Sequence, residues 1–533
     1  MATATSRPYD AIVVGGGHNG LVCAAYLARA GQHVLVLERR HLVGGAAVSE
    51  ELFPGYKVST ASYLVSLMQE KIIRDLDLPR HGYHVFPKDP SYFALQPNGR
   101  HFFMWRDMAR TQAEIARLSA RDAERYPRYE AMLDRIAGFV RPLLLQPPPG
   151  VPPRTADDFV QLLKLGKRVL RLSRQDLATL VRFFTASVAE LLDDWFESEE
   201  LKVALAADGV IGVSAGPRSP GTAYVLLHHQ MGGVDGSRGL WGFARGGMGA
   251  ISNAIAAAAR EAGAEIRTDA AVSRVLVRDG SARGVELTTG ERLLATGVIS
   301  NLDPRQTFLN LVGAQHLPRD LVAEVERYRC TGASFKLNLA LGERPSYSVV
   351  PGTALGPQHM GTTHIAPSMD YLERAWDDAK YGRPSAHPML EIGLPTSYDD
   401  SIAPPGNQIM SIFAQYAPYH LAEGSWDQMR DAFVDRLVDT LAEHAPNVRS
   451  AIEHRFAMAP PDIEERFGMT GGHIFHGELS FQQLFWMRPF GSAGRYSTPV
   501  RNLYLCGSGT HPGGGVMGAP GHNAAQAILR ETR

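Results

Sequence analysis

Cysteine is scarce in this chain. Three occur in 533 residues, Cys23, Cys330 and Cys506, and they stand far apart. That count excludes a disulfide framework and any CxxC redox pair, and points to a reducing, intracellular setting. Long hydrophobic runs are also lacking: no stretch of about 18 uninterrupted apolar residues occurs, so no spanning helix is expected. An excess of charge is missing too. The 54 Lys and Arg against 55 Asp and Glu leave a net charge of −1, which gives no chain-wide attraction to nucleic acid or to an anionic membrane. No cluster of four or more basic residues is read, so any membrane contact is expected to be hydrophobic and peripheral. No solenoid repeat is found. "AIVVGGGHNGLVCAAYLA" has the apolar character of a signal peptide but no small-residue cleavage site, and the segment before it is short for a transit peptide. The expected location is cytoplasmic, with or without membrane association.

What is present begins with "YDAIVVGGGHNGLVCAAYLARAGQHVLVLERR". "AIVV" reads as a buried parallel strand, the segment after it as a helix ending at Gly31, and "HVLVLE" as a second buried strand. Gly15, Gly17 and Gly20 therefore sit in a strand-turn-helix, the context a dinucleotide fingerprint needs. Gly15 permits the tight turn, Gly17 lets backbone approach a pyrophosphate, and Gly20 lets helix and strand pack closely. His18 and Asn19 open the helix whose free N–H groups and dipole face the phosphates. Glu38 falls about 20 residues on, where a carboxylate takes the ribose hydroxyls. No second such motif occurs, so NAD(P)H is not expected as a tightly bound second nucleotide.

The extension "RRHLVGGAA", with Arg39, Gly44, Gly45 and Ala46, forms a second close-approach loop and resembles the two-glycine signature of FAD-binding oxidoreductases. "RNLYLCGSGTHPGGGVMGAPGHNAAQAIL" reads as a strand, a glycine turn containing Gly507, and a helix from near Gly518; it resembles the C-terminal flavin segment of the same class. In the middle, Arg245, Gly246 and Gly247 precede a helix running to about Gly263, and Val272 opens a meander that returns through "GVISNLDP". The expected fold is α/β with α+β inserts: a Rossmann-type FAD-binding domain from residues 8–105, 235–310 and 495–533, a helical region at 106–234, and a mixed-sheet substrate domain at 311–494. The proline-rich "LLLQPPPGVPP" reads as a semi-rigid linker. "LATLVRFFTASVAELL" carries more apolar positions than one buried stripe needs; either both faces are core or one meets a tunnel or lipid.

Together these blocks resemble the phytoene-desaturase-related flavoproteins, a group that includes carotenoid isomerases, ketolases and retinol saturases. The resemblance is specific at "YDAIVVGGGHNGLVCAAYLARAGQHVLVLERRHLVGGAAVSEELFPGYKVSTASYLVSL", "ARGGMGAI" and "GTHPGGGVMGAPGHNAA". It implies FAD, an inserted substrate domain, and a hydrophobic polyene-like or lipid substrate. Electrons are then expected to leave to oxygen, a quinone or another lipophilic acceptor.

A flavin desaturase asks little of its protein beyond binding, orientation and exclusion of water, yet a proton must also leave. His511 is the candidate acid/base, ahead of His18 and His522. Arg245 is a candidate for the flavin or a substrate head group, and Ser62 and Tyr63 for the cavity wall. His473, His476 and Glu478 lack a further ligand at metal spacing, so no metal is expected. Three readings stand: an oxidoreductase that desaturates its substrate, an isomerase using reduced FAD without net oxidation, and a low-turnover flavin-bearing regulatory or binding protein.

Overall fold

The first strand, Tyr9–Val14, is apolar on both faces from Ala11 onward because it lies in the middle of a parallel array, where helices cover one side and further chain the other. The computed structural model describes residues 8–96, 99–153, 155–491 and 495–531. Tyr9–Val14 pairs in parallel with Val34–Leu37 and with Arg292–Ser300. Glu265–Arg267 extends the sheet beyond Val34–Leu37, and Leu503–Leu505 pairs in parallel with Arg292–Ser300. Ser281–Leu287 and Val272–Arg278 continue it as an antiparallel meander. Helices His18–Arg29, Met248–Glu261 and Ala519–Glu531 share one hydrophobic core with this sheet. The last of them lies so close to the first that a Cβ on Gly521 would stand 2.0 Å from the Asn19 carbonyl oxygen.

A second seven-stranded sheet forms the other domain, in the order Ile452–Met458, Ser334–Leu341, Gln408–Gln415, Met389–Gly393, Thr362–Ile365, Tyr92–Leu95, His101–Met104. Ser334–Leu341, Gln408–Gln415 and Met389–Gly393 are buried along their whole length, and helix Trp426–Ala442 packs in the core on one face. Two of its strands come from residues 92–104, which differs from the expected grouping of 8–105 with the nucleotide domain. Short apolar runs such as "YFAL" and "HFFM" show that a strand forms but not which sheet it joins.

The helical region packs around Tyr129, Phe183, Leu192 and Leu227, with Ala120–Leu144 its longest helix. "LATLVRFFTASVAELL" divides: Leu180, Phe183, Val188, Leu191 and Leu192 are buried, whereas Leu177 and Val181 are exposed. Ala156–Val169 stands apart. Asp158 is its one buried residue, and the helix is moored by an Asp158–Arg495 ion pair and by Arg168 donating to the Phe139 carbonyl oxygen. Phe159, Leu163 and Leu170 are 62%, 61% and 85% exposed. Beside them stand Lys164, Lys167, Arg168, Arg171 and Arg174, with no acidic residue between 164 and 174. This corrects the expectation that no basic cluster exists; the five charges are interleaved with leucine and valine, so they do not form an obvious run. Among the described residues no helix is long and apolar enough to cross a membrane.

The crossing of the first and last helices leaves no room for a side chain at Gly521, whereas nothing lies within 4 Å of a Cβ on Gly166 in the exposed helix. Gly521→Ala is expected to lower stability by at least the roughly 1–3 kcal/mol typical of overpacking. Gly166→Ala is expected to be neutral or to gain up to about 1 kcal/mol from helix propensity. Urea denaturation of the two variants checks both signs.

Candidate active site

The turn after the first strand is shaped by contacts with Asn301. Asn301 Nδ2 donates to the Gly15 carbonyl oxygen at 3.2 Å. A Cβ on Gly17 would meet that nitrogen at 2.7 Å, and one on Gly20 would lie 2.3 Å from the Gly15 oxygen. Gly17 is the N-cap of His18–Arg29; no side chain caps this helix and no acidic residue lies in its first turn, so its N-terminus is open to an anion. Glu38 is buried at the end of the second strand and accepts from the Gly16 and Arg40 backbone N–H groups at 2.8 and 2.9 Å. Two carboxylate oxygens hold about four lone-pair sites, which leaves acceptors for ribose hydroxyls. Gly44 N–H donates to the Gly16 carbonyl oxygen at 2.8 Å, which seats the second glycine loop against the first. Asn19 donates to Ser508 Oγ at 3.1 Å, while its own Oδ1 is buried without a partner. His18 Nε2 lies 3.2 Å from the Gly515 carbonyl oxygen; burial, with His476 nearby, pushes its pKa down to about 4, so the ring is neutral at pH 7. These features fit a dinucleotide flavin: Gly15 to Asn19 for the pyrophosphate, Glu38 for the ribose, Ser508 and Gly515 toward the far end.

From this cradle a cavity of about 820 Å³ runs to the second sheet. Gly15, Gly17, His18, Asn19, Glu38 and Gly44 to Ala46 line one end, and Ser62 and Tyr63 the middle. Trp105, Trp241, Phe413 and Phe475 add aromatic wall. The cavity rim includes Asp107, Met108 and Arg238, which are exposed.

At the far end four strands contribute one row of side chains. Lys336 pairs with Phe413, Phe413 with Glu391, and Glu391 with His364 in the sheet register, so these residues share one face across neighbouring strands. Lys336 Nζ donates to Asn338 Oδ1 at 2.9 Å and to Ser411 Oγ, and stands 4.8 Å from the centroid of the Tyr63 ring. Burial pushes its pKa down to about 7, against the pull of Glu391. Tyr63 donates to Glu391 Oε1, and His364 Nε2 lies 3.0 Å from Glu391 Oε2. Burial alone raises the Glu391 pKa; His364, Tyr63 and the charge of Lys88 bring it down to about 2. Lys88 donates to Thr362 Oγ1, and burial lowers its pKa to about 8. None of Lys88, Lys336, His364, Asp208 or Glu391 is among the candidates read from sequence. The available signal is a charged residue inside a run otherwise made for burial, as in "SFKLNLAL" and "MLEIG".

Other sequence candidates, His476 excepted, lie outside the lining. His511 is turned away: its Nε2 faces the Leu143 carbonyl oxygen at 2.9 Å, its ring packs edge-on to Phe485, and burial lowers its pKa to about 4. His522 packs on Tyr26, with Nδ1 2.9 Å from Asn523 Oδ1. Arg245 is exposed. Gly246 N–H donates to Asp399. A Cβ on Gly247 would strike Ser49 Oγ at 2.3 Å, and the N–H groups of Met248 and Gly249 are capped by Ser59 and Ser49. The start of the helix Met248–Glu261 is thus closed by protein hydroxyls. Arg39 is exposed and donates to the Glu465 carbonyl oxygen at 2.6 Å. Val272 packs half-buried against the meander core, and Gly507 and Gly518 allow chain to pass Asn301 and Ile72. Gly20, likewise outside the lining, is the packing glycine beneath the turn. His476 lines the cavity, and His473 stands 3.4 Å from Glu478; among the described residues no group of three or more His, Cys, Asp or Glu is placed to hold a metal.

A family model described as flavin containing amine oxidoreductase matches residues 20–529. The pyridine nucleotide-disulfide oxidoreductase domain-containing protein 2 of Mus musculus is 41% identical, with 98% of this chain and 94% of that protein covered. The phytoene desaturase (lycopene-forming) of Pseudescherichia vulneris is 26% identical over 97% of this chain and 98% of its own. Among solved structures, an oxidoreductase from Methanosarcina mazei shares the fold with a TM-score of 0.60 at 17% identity, covering 98% of this chain and 99% of that one.

Gly17 has an ordinary φ of −68°, so a substitution there acts through space rather than backbone strain. Gly17→Val is expected to displace Asn301 and obstruct the pyrophosphate, giving colourless protein, while the wild type is yellow and releases FAD, not FMN, on denaturation. Absorbance at flavin wavelengths and chromatography of the released nucleotide measure both.

Proposed function

We propose, from the premise that this chain belongs to the flavin containing amine oxidoreductase family, that it is a FAD-dependent dehydrogenase of a largely apolar small molecule. The observation that carries this reading is the cavity itself, which joins the glycine cradle to an aromatic wall and to a buried lysine. A relative named as a phytoene desaturase supports an apolar substrate. Bound FAD supplies the two-electron acceptor for a hydride. The protein's part is to hold the substrate dry against the aromatic wall and to remove a proton from the carbon beside the one that loses hydride. Two C–H bonds break, one C=C bond forms, and the electrons pass on to oxygen, a quinone or another lipophilic acceptor.

Lys336 is the proton acceptor in this reading, in place of His511. A lysine with its pKa near 7 is a usable base at neutral pH, and this one sits beside Tyr63. Ser62, next to Tyr63, donates its N–H to the Ala46 carbonyl oxygen at 3.1 Å, which links Lys336 to the flavin loop through adjoining residues. A base acts when unprotonated, so anaerobic flavin reduction is expected to rise as pH passes upward through about 7. Lys336→Met should lower the rate by roughly 10²–10⁴ and remove that limb of the profile. Bleaching of FAD on anaerobic mixing with the lipid extracted from the purified protein supports dehydrogenation; product formed only after the flavin is pre-reduced would mean isomerisation instead.

The exposed apolar residues and five basic charges of residues 159–174 support peripheral contact with an anionic bilayer, beside the helix Ala120–Leu144 that contributes Tyr126 and Glu130 to the cavity. Flotation with phosphatidylserine vesicles is expected to exceed that with phosphatidylcholine alone, and to fall in a Phe159→Asp, Leu163→Asp variant.

A further inference from the structure

The far end of the cavity is more polar than a hydrocarbon substrate requires. Lys88, His364 and Glu391 are each 4% exposed and Lys336 is 2% exposed, yet all four line the cavity together with Asp208 and Thr362. Glu391 is satisfied by its neighbours: it accepts from Tyr63 and faces His364 Nε2 at 3.0 Å. His364 is also held by the Tyr92 hydroxyl, which donates to the Ala204 carbonyl oxygen at 2.6 Å. The remaining groups are not. An ammonium carries three N–H donors. Lys88 spends one on Thr362, and among the described residues it has no other hydrogen-bond acceptor. Lys336 spends two, on Asn338 and Ser411. The Asp208 carboxylate has no hydrogen-bond partner among the described residues, although it lies near enough to Lys88 for its charge to oppose the loss of the Lys88 proton.

Leaving the buried Lys88 and the half-buried Asp208 against a hydrocarbon would cost part of the desolvation penalty of unpaired donors and acceptors. A ligand that supplies an acceptor to Lys88 and a donor to Asp208 removes that cost. We propose that Lys88 and Asp208 form a head-group subsite, and that the substrate is an amphiphile: an apolar body along the aromatic wall, ending in a hydroxyl or carboxyl group. This rests on the reading of the cavity as the substrate site. It restricts the substrate to oxygenated molecules, where that reading alone admits pure hydrocarbons.

The test uses the FAD-loaded protein and three probes with one carbon skeleton, tetradecane, tetradecan-1-ol and tetradecanoic acid, each presented in the same detergent micelles. Binding is read from the perturbation of the flavin absorption band. The alcohol and the acid are expected to bind at least ten-fold more tightly than the alkane. Lys88→Met should abolish the advantage of the acid, and Asp208→Leu that of the alcohol. Equal binding of all three by the wild type overturns the proposal, as does binding by none of them. So does a preference that survives both substitutions. The wild-type comparison needs no variant, so a variant that loses its FAD leaves the test intact. The readout is binding and not turnover: a protein that prefers the alcohol but never reduces its flavin keeps the subsite and loses the dehydrogenase reading.

Discussion

Asn301 is the point on which the nucleotide site turns. Its backbone N–H donates to the Val14 carbonyl oxygen, its side chain donates to the Gly15 carbonyl oxygen, and its own carbonyl lies 2.5 Å from where a Cβ on Gly507 would be. Three pieces of chain, distant in sequence, meet there within van der Waals contact. Of the fingerprint glycines, Gly17 is small because Asn301 Nδ2 occupies the space above it, and Gly20 because the Gly15 carbonyl oxygen that Asn301 holds stands 2.3 Å from where its Cβ would be. The pyrophosphate turn therefore has a shape only while Arg292–Ser300 stays paired beside Tyr9–Val14, and the same pairing carries Leu503–Leu505 into the sheet.

The substrate side obeys a different constraint. Removing a lysine and a carboxylate from water costs several kcal/mol per ion, and a buried pair is retained only where geometry and hydrogen bonds offset that cost. Glu391 and His364 meet the condition through register, standing opposite each other on neighbouring strands, whereas Lys336 lies beyond Phe413 in the same row and is held by Asn338 and Ser411. The row is a rigid object because the strands beneath it are buried end to end. That rigidity is what suits it to hold a proton-transfer group near a bound substrate.

The parts of this molecule that could be read from the chain are those built from neighbours in sequence. Gly15, Gly17, Gly20 and Glu38 lie within one strand-turn-helix-strand, so their spacing alone carries the geometry. The charged row was hidden because it exists only across strands, and pairing register is not a local property. "ARGGMGAI" shows the same limit: a glycine turn before a helix can be read from the chain, but not that Ser49 and Ser59 accept from the N–H groups at its start. His511 stands in a glycine-rich turn next to cavity residues, yet its ring points at the Leu143 carbonyl oxygen. Position along the chain located the turn and said nothing of the direction of the side chain.

The pairing of the first helix with the last has a consequence for how the protein is made. His18 and Gly515, which approach within hydrogen-bonding distance, are 497 positions apart. A ribosome that has released the fingerprint must still synthesise the helical region and the whole second sheet before Gly515 and the helix Ala519–Glu531 appear. Until then the apolar face of His18–Arg29 that Gly521 will meet is bare. The nascent chain thus carries that face uncovered until the last helix is made, and the cofactor cradle is complete only once Gly515 has joined it.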